Sequence, residues 1–503
     1  MQILLLSAYC SVLFVLCAYG AHRAHLVYQC LRHRRRIDVG QRRVEIAEAD
    51  LPTVTVQLPI FNEATVAARL IEATGRLDYP GHKLEIQVLD DSTDETLRIA
   101  REAVEALKAR GIDAEHVRRP NRHGYKAGAL DYGLSSAKGE LVAIFDADFL
   151  PQPGFLRDVV GHFQDTRIGM VQTRWGHMNR DSSLFTQVQA LMLDGHHMVE
   201  NRARFGAGHL FNFSGTGGIW RRAAIDAAGG WQHDTLTEDL DLSYRAQMAG
   251  YRFVYRSDVL TPSELPEDMS AFRAQQFRWA KGTVQTARKL LGRVVSSELS
   301  LGQRVEACFH MLPHFAYPMM VLLSLLLLPA LIFMPATDLQ TMLLIDLPLC
   351  FGATGSIAAF YITADVAQGR SGWGAARRLP ALIALGAGLA PHLTAAVFDG
   401  LTKMAGEFVR TPKRGGVAGR YFQHAKLPMA EMALCLVSAA SVVASFETAH
   451  YFATPFAVLF TLGYGYVASQ VLFEQLGRPA PAPDRISIPG EAEVEGSGMA
   501  RAA

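Results

Sequence analysis

Cysteine pairing is what this 503-residue chain most plainly lacks. Its six cysteines (Cys10, Cys17, Cys30, Cys308, Cys350 and Cys435) are scattered, and none forms a Cys-x-x-Cys pair. Neither a disulfide framework nor a zinc site is implied. Four of the six sit in apolar stretches, where a free thiol behaves as a small hydrophobe. Net charge is also scarce, at +1. The chain therefore has no global electrostatic signature of nucleic-acid binding. The first apolar run has no basic residues before it, its basic cluster coming afterwards, which favours a signal anchor over a cleaved signal peptide. No Arg-x-x-x-Arg segment with a following β-barrel pattern appears after residue 410, so no cyclic-dinucleotide domain is expected.

What is present is unevenly spread. The chain is 50% hydrophobic, yet residues 45–300 read as ordinary soluble protein between two apolar flanks. Residues 2–20 are long enough to span a hydrocarbon core. A basic cluster follows (Arg23, Arg32, Arg34, Arg35, Arg36, Arg42 and Arg43), and the positive-inside rule places it, with the soluble domain, in the cytoplasm. Further apolar runs cover 313–335, 340–363, 379–401, 428–446 and 451–473, each near the length of a spanning helix. Residues 402–427 are again basic and should be cytoplasmic, but three full crossings before them would place them outside. One run is therefore expected to be interfacial or re-entrant. The best suspect is 379–401, which carries Gly386, Gly388, Pro391, His392 and Asp399. Residues 300–311 read as an amphipathic surface helix. The tail 476–503 is rich in Pro, Gly, Ala and Glu and reads as disordered. The expected organisation is an anchor at 1–22, a soluble domain at 45–295, and interfacial and spanning helices over 300–475.

Within the soluble domain, 53–60 (TVTVQLPI), 85–89 (EIQVL) and 141–145 (LVAIF) read as strands, with Pro59 ending the first. Residues 64–76 and 95–108 read as helices. Alternating strands and helices imply a mostly parallel, Rossmann-like sheet covered on both faces. Ligands of such sheets sit beyond the carboxyl ends of the strands. Asp90-Asp91 and Asp146-Ala147-Asp148 fall at two of those ends.

Alternate carboxylates leaving a strand, as in Asp146 and Asp148, suit a hard divalent cation that bridges diphosphate oxygens. A lone Asp-x-Asp is more often a polar turn, and it is the placement after a buried strand that changes the balance. Asp90 to Asp94 can equally be a turn capping the next helix. Asn62, in Pro-Ile-Phe-Asn62-Glu63, has the same double reading as ligand or N-cap. Lys126 precedes an apolar helix, where a lysine and free amides favour phosphate; alone it would be a solvated surface lysine. Asp239, in Thr-Glu238-Asp239, reads equally as a helix-start acid or a base. Trp279 alone is more often core, and the same holds for Trp175 and Trp220.

The order Asp-Asp, DxD, TED, QxxRW (Gln275-Gln276-Phe277-Arg278-Trp279) resembles the processive family 2 glycosyltransferases, which include cellulose, hyaluronan and plant mannan synthases. The likeness covers about residues 53–290 and includes VLDDSTDET, KAGAL, FDADF, GTGGIWRR and LTEDLDLSYRA. It implies an α/β glycosyltransferase-A domain fused to α-helical transmembrane segments. It also implies inverting transfer from a nucleotide sugar, GDP-mannose or UDP-glucose, to a growing β-linked polysaccharide; a non-processive glycolipid synthase is the alternative. By the same resemblance Asn62, Glu63, Asp90, Asp91, Lys126 and Asp146 bind the nucleotide sugar. Asp146 and Asp148 hold Mg²⁺ or Mn²⁺. Asp239, with Glu238, supplies the base. Gln275, Gln276, Arg278 and Trp279 hold acceptor and diphosphate. Phe408, Thr411 and Lys413 resemble a gating loop, FxVTxK, although Arg410 stands where that pattern has Val. The expected partners are the donor, a polysaccharide or glycolipid acceptor and membrane lipid, with no nucleic acid. The expected location is a bacterial inner membrane with the catalytic domain cytoplasmic.

Overall fold

The computed structural model describes residues 2–333, 354–406 and 427–476. The motif Phe408, Thr411 and Lys413 and the tail from 477 lie outside the described residues.

A seven-stranded sheet forms the centre of the soluble part: β1 (Val54–Ile60), β2 (Leu84–Asp90), β3 (Ala114–Val117), β4 (Leu141–Ile144), β5 (Ile168–His177), β6 (Gly218–Arg221) and β7 (Arg252–Ser263), in the order β3-β2-β1-β4-β6-β5-β7. The left half is parallel; β6 runs antiparallel to both β4 and β5. The three apolar strands read from sequence are its centre, and Pro59 does not end β1. It pairs in register with Leu89, and β1 continues to Ile60. The β4 ladder on the other side stops at Gln57, so proline's missing N–H is not needed there. Register also explains the acids: β1 ends at Ile60 opposite Asp90, and β4 ends just before Asp146. All face one carboxyl edge.

The helices used below are α1 (Gln2–Arg32), α2 (Ala67–Thr74), α3 (Thr96–Ala109), α4 (Tyr125–Ser136), α5 (Leu184–Gly195), α6 (Glu238–Met248), α7 (Met269–Val295), α8 (Leu301–Met311), α9 (Ala316–Phe333), α10 (Ser356–Val366), α11 (Gly372–Thr402), α12 (Met429–Glu447) and α13 (Thr454–Leu476). One face of the sheet packs on α2 and α3 through Leu70, Ile71, Val104 and Leu107. The other packs on α4 and an aromatic group around Phe213, Trp220 and Phe253. Trp220 is fully buried there, so it is core, as a lone tryptophan more often is. Helix α2 is shorter than the 64–76 expected. Asn62 does not cap it: Asn62 is left-handed (φ 52°), and its side-chain oxygen accepts the Thr93 N–H at 2.8 Å.

Among the described residues five helices are long and apolar enough to cross a membrane: Gln2–Arg32, Pro313–Phe333, Gly372–Thr402, Met429–Glu447 and Thr454–Leu476. Their contacts separate them. The amino-terminal half of α1 packs with α9, α12 and α13 through Leu13, Leu327, Ala444 and Phe460. At that end Gln2 donates to the carbonyl of Phe333. Helix α11 behaves differently, because both its ends touch the soluble part. Arg378 donates to Gln187 on α5 at 2.9 Å, and Asp399 pairs with Lys281 on α7 at 2.6 Å. Its middle meets α13 where Gly388 and Gly463 approach; a Cβ on Gly388 would lie 2.2 Å from the Gly463 carbonyl. Despite Pro380 and Pro391 it is one unbroken 31-residue helix. Helix α8 exposes Leu301 and Val305, but Glu306 turns inward to Arg204 and His22, each at 2.9 Å.

Candidate active site

The cleft opens at the carboxyl edge of β1, β2 and β4, with α7 as its far wall. Glu63, Asp91, Lys126, Asp146, Asp148, Glu238, Asp239, Gln275, Arg278 and Trp279 all line it, so four separate motifs meet in one cavity. Three expected residues do not line it. Asn62 holds the neighbouring loop, Gln276 is buried on α7, and Asp90 is buried in its own turn. One oxygen of Asp90 accepts the Ser92 N–H at 2.8 Å. The other meets His116 Nε2 at 2.8 Å. Burial opposes ionisation of Asp90, but the bonds from His116 and Ser92 outweigh it and hold its pKa below the usual carboxylate value. Here Asp90 makes the turn and Asp91 faces the ligand side.

Asp91 is held in turn by Arg119, which sequence reasoning missed. The guanidinium grips both carboxylate oxygens, at 2.7 and 2.5 Å, in the bidentate geometry that favours Arg. It also donates to the carbonyls of His123 and Tyr125, shaping the turn that delivers Lys126. Gly124 and Tyr125 are both left-handed there. Beside them Arg122 lies over the Phe61 ring at 3.4 Å and the Tyr125 ring at 4.8 Å. The basic stretch 118–122 was the signal available for these arginines.

Lys126 sits at the start of α4 and donates to Asp146 Oδ1 at 2.5 Å and to the Gly215 carbonyl at 3.0 Å. Burial works against its charge, but Asp146, Glu238 and Asp239 raise its pKa overall. Gly215 is the centre of the site. With φ +84° it turns its carbonyl to Lys126, and a Cβ there would lie 3.1 Å from Asp239 Oδ2. Thr216 fixes β4's end by accepting the Asp146 N–H at 2.8 Å.

Glu238 and Asp239 open helix α6. Burial, then the neighbouring Glu238, push Asp239 up to about 7; Leu240 N–H, Lys126 and Arg278 pull the other way. Glu238 is also raised, chiefly by burial. Arg278, deep in the cleft, is lowered by burial against the pull of Glu238, Asp146, Asp239 and Asp148. On the far side Trp175 and Trp279 approach at 6.4 Å between centroids, with Phe149 5.1 Å from Trp175. Acids and cations thus fill one half of the cleft and flat apolar faces the other.

Residues 52–282 match the family described as glycosyltransferase like family 2. The chain is 38% identical over 300 residues to glucomannan 4-beta-mannosyltransferase 1 of Oryza sativa subsp. japonica, covering 58% of each chain. It is 42% identical over 259 residues to glucomannan 4-beta-mannosyltransferase 2 of Arabidopsis thaliana, covering 50% of this chain and 48% of that one. It therefore spans about half the length of the curated relatives it matches. These relatives are plant proteins and lend no support to a bacterial inner membrane. The fold resembles the mannosyltransferase PcManGT from Pyrobaculum calidifontis, solved with GDP-Man and Mn²⁺, with TM-score 0.54, 22% identity and coverage of 78% of this chain and 99% of that one. Over residues 52–282 the chain is therefore similar to family 2 glycosyltransferases and, among them, to plant glucomannan mannosyltransferases.

Proposed function

We propose that this protein transfers a hexose, with inversion, from a nucleotide sugar to a growing β-linked polysaccharide at a membrane. GDP-mannose is the donor favoured by the mannosyltransferase relatives, with UDP-glucose second. The observation that carries the reading is Asp239: a half-buried carboxyl whose pKa is raised to about 7, in the cleft that also holds Lys126, Arg278 and Trp279. Asp239 takes the proton of the acceptor hydroxyl as that oxygen attacks the anomeric carbon. Lys126 and Arg278 balance charge on the departing diphosphate. Trp279 and Trp175 offer apolar faces to sugar rings.

The carboxylates of Asp146 and Asp148 fit a divalent cation. They line one cavity from alternate positions, and both are oxygen ligands of the kind Mg²⁺ and Mn²⁺ prefer. Among the described residues no group of three or more His, Cys, Asp or Glu side chains forms a metal cage. A cation here would share its coordination with diphosphate and water, as Mg²⁺ commonly does. When bound it neutralises charge on the leaving group.

The membrane arrangement follows from the contacts of α11. The bonds from both its ends to the soluble domain support a reading in which α11 lies along the interface rather than crossing it, with residues 403–406 on the domain's side. The basic character of 402–427 supports the same reading, with that side cytoplasmic. The test is to incubate the protein in nanodiscs with individual labelled nucleotide sugars and Mg²⁺ or Mn²⁺. Retention of label in a long, β-mannanase- or cellulase-sensitive product supports polymer synthesis. Label found only in lipid-extractable material identifies a glycolipid synthase.

A further inference from the structure

Helix α7 carries Gln275, Arg278 and Trp279 on one stretch and, one to two turns further on, holds the loop that ends in Asp239. Gly282 lets that loop come close; a Cβ there would lie 2.7 Å from Thr237 Cγ2 and 2.9 Å from the Leu236 carbonyl carbon. Thr286 and Thr237 join their hydroxyls at 3.0 Å. Between them Gln285 is fully buried. Its side-chain oxygen accepts the Leu236 N–H at 3.0 Å. Its side-chain nitrogen donates to the carbonyls of Lys403 at 2.9 Å and Ala405 at 2.8 Å. The Ala405 N–H in turn donates to the Asp234 carbonyl at 2.9 Å.

We propose that Gln285 is a positioning residue: it sets the Leu236–Asp239 turn, and it locks that turn to residues 403–406 at the exit of α11. This inference rests on the reading of Asp239 as the base. Gln285 does not line the cleft, so it acts through the turn and not on substrate. The chemistry of the position is specific. One accepting and two donating bonds are needed at once, and a carboxamide supplies both. A glutamate keeps the shape and can accept from Leu236, but sets its charge against two carbonyl oxygens. A leucine takes their partner from one N–H and two carbonyls at once. Because the same amide group serves both segments, a shift of residues 403–406 away from α7 frees the turn that carries the base. Thr237 and Asp239 are then held by fewer bonds at the moment the geometry has to be accurate.

The experiment uses the full chain in nanodiscs with the variants Gln285→Glu and Gln285→Leu and with Asp239→Asn as reference. Turnover, affinity for GDP and UDP, and hydrogen exchange of peptides covering 234–241 and 400–406 are measured. In Gln285→Glu, turnover falls at least about tenfold while nucleotide affinity stays within about twofold. Exchange rises in both peptides together. Should Gln285→Leu fail to fold, the glutamate variant and the exchange data decide. Wild-type turnover in Gln285→Glu, or exchange that rises in one peptide alone, overturns the inference. If Asp239→Asn keeps full turnover, the reading of the base fails first. If it is inactive while Gln285→Glu is fully active, this inference alone falls.

Discussion

Lys126 Nζ lies 2.5 Å from Asp146 Oδ1, so the cation proposed to meet phosphate is paired in this structure with one of the two carboxylates proposed to meet a metal. Were a divalent cation and a diphosphate bound, Asp146 would be available to the cation and Lys126 to phosphate. The pair also bears on the base, since Lys126 lowers the pKa of Asp239 and Glu238 raises it.

The first expectation concerns pH. Asp239 must be ionised to accept a proton, and its pKa of about 7 places the acid limb of kcat/KM there. Activity declines about tenfold per pH unit below that point. Glu238→Gln removes the adjacent negative charge, so the limb moves to lower pH. Asp239→Asn lowers turnover by about 10² to 10⁴. The folded pKa lies above the unfolded one, so this group's contribution to stability is complete below about pH 4 and is lost as pH rises through 7. A pH–rate profile of wild type and Glu238→Gln checks the direction.

Lys126→Met acts on the same limb with the opposite sign. Without the cation Asp239 becomes harder to ionise, and the limb moves to higher pH. Nucleotide affinity also falls, by about tenfold or more, as a buried phosphate partner is lost. Calorimetric titration with GDP and UDP measures the second effect.

Arg119→Ala leaves Asp91 buried without its partner and destabilises the domain by about 3 to 5 kcal/mol. Arg119→Lys restores charge without the two-pronged geometry, so it recovers stability only in part. Denaturant unfolding and nucleotide binding, measured on the same preparations, follow the change.

Metal removal gives the fourth expectation. Chelation abolishes turnover, and Mg²⁺ or Mn²⁺ restores it. Asp148→Asn raises the cation concentration needed for half-maximal rate by about tenfold or more. Full activity in chelator would end the assignment of Asp146 and Asp148.

The centre of the sheet was legible because β1, β2 and β4 are buried on both faces and read as short apolar runs. The edge strands were not, because β3 is four residues long and only its first is buried, and because β5–β7 pairing is interrupted by register shifts. The site was legible where acids stand at strand ends, as Asp91, Asp146 and Asp148 do. It was not legible where a residue acts through another. Arg119 looks like any surface arginine until the fold carries it to Asp91. Gly215 sits within a motif string that does not disclose how closely Asp239 approaches it. Local pattern also misplaced Asn62, whose side chain serves the loop after β2 and not the helix that follows it.

Glu474, near the end of α13, lends its carboxylate to the first amides of α7: Met269 N–H at 2.5 Å and Ser270 N–H at 3.0 Å. Arg273, one turn on, reaches Glu431 at the start of α12 at 2.7 Å. The wall that carries Gln275, Arg278 and Trp279 is thus capped by α13 and clamped by α12. A fragment ending near residue 300 would consequently retain every motif of the cleft while α7 began without its cap and with Arg273 parted from Glu431. Any truncation meant to preserve the cleft wall therefore has to keep α12 and α13 as well.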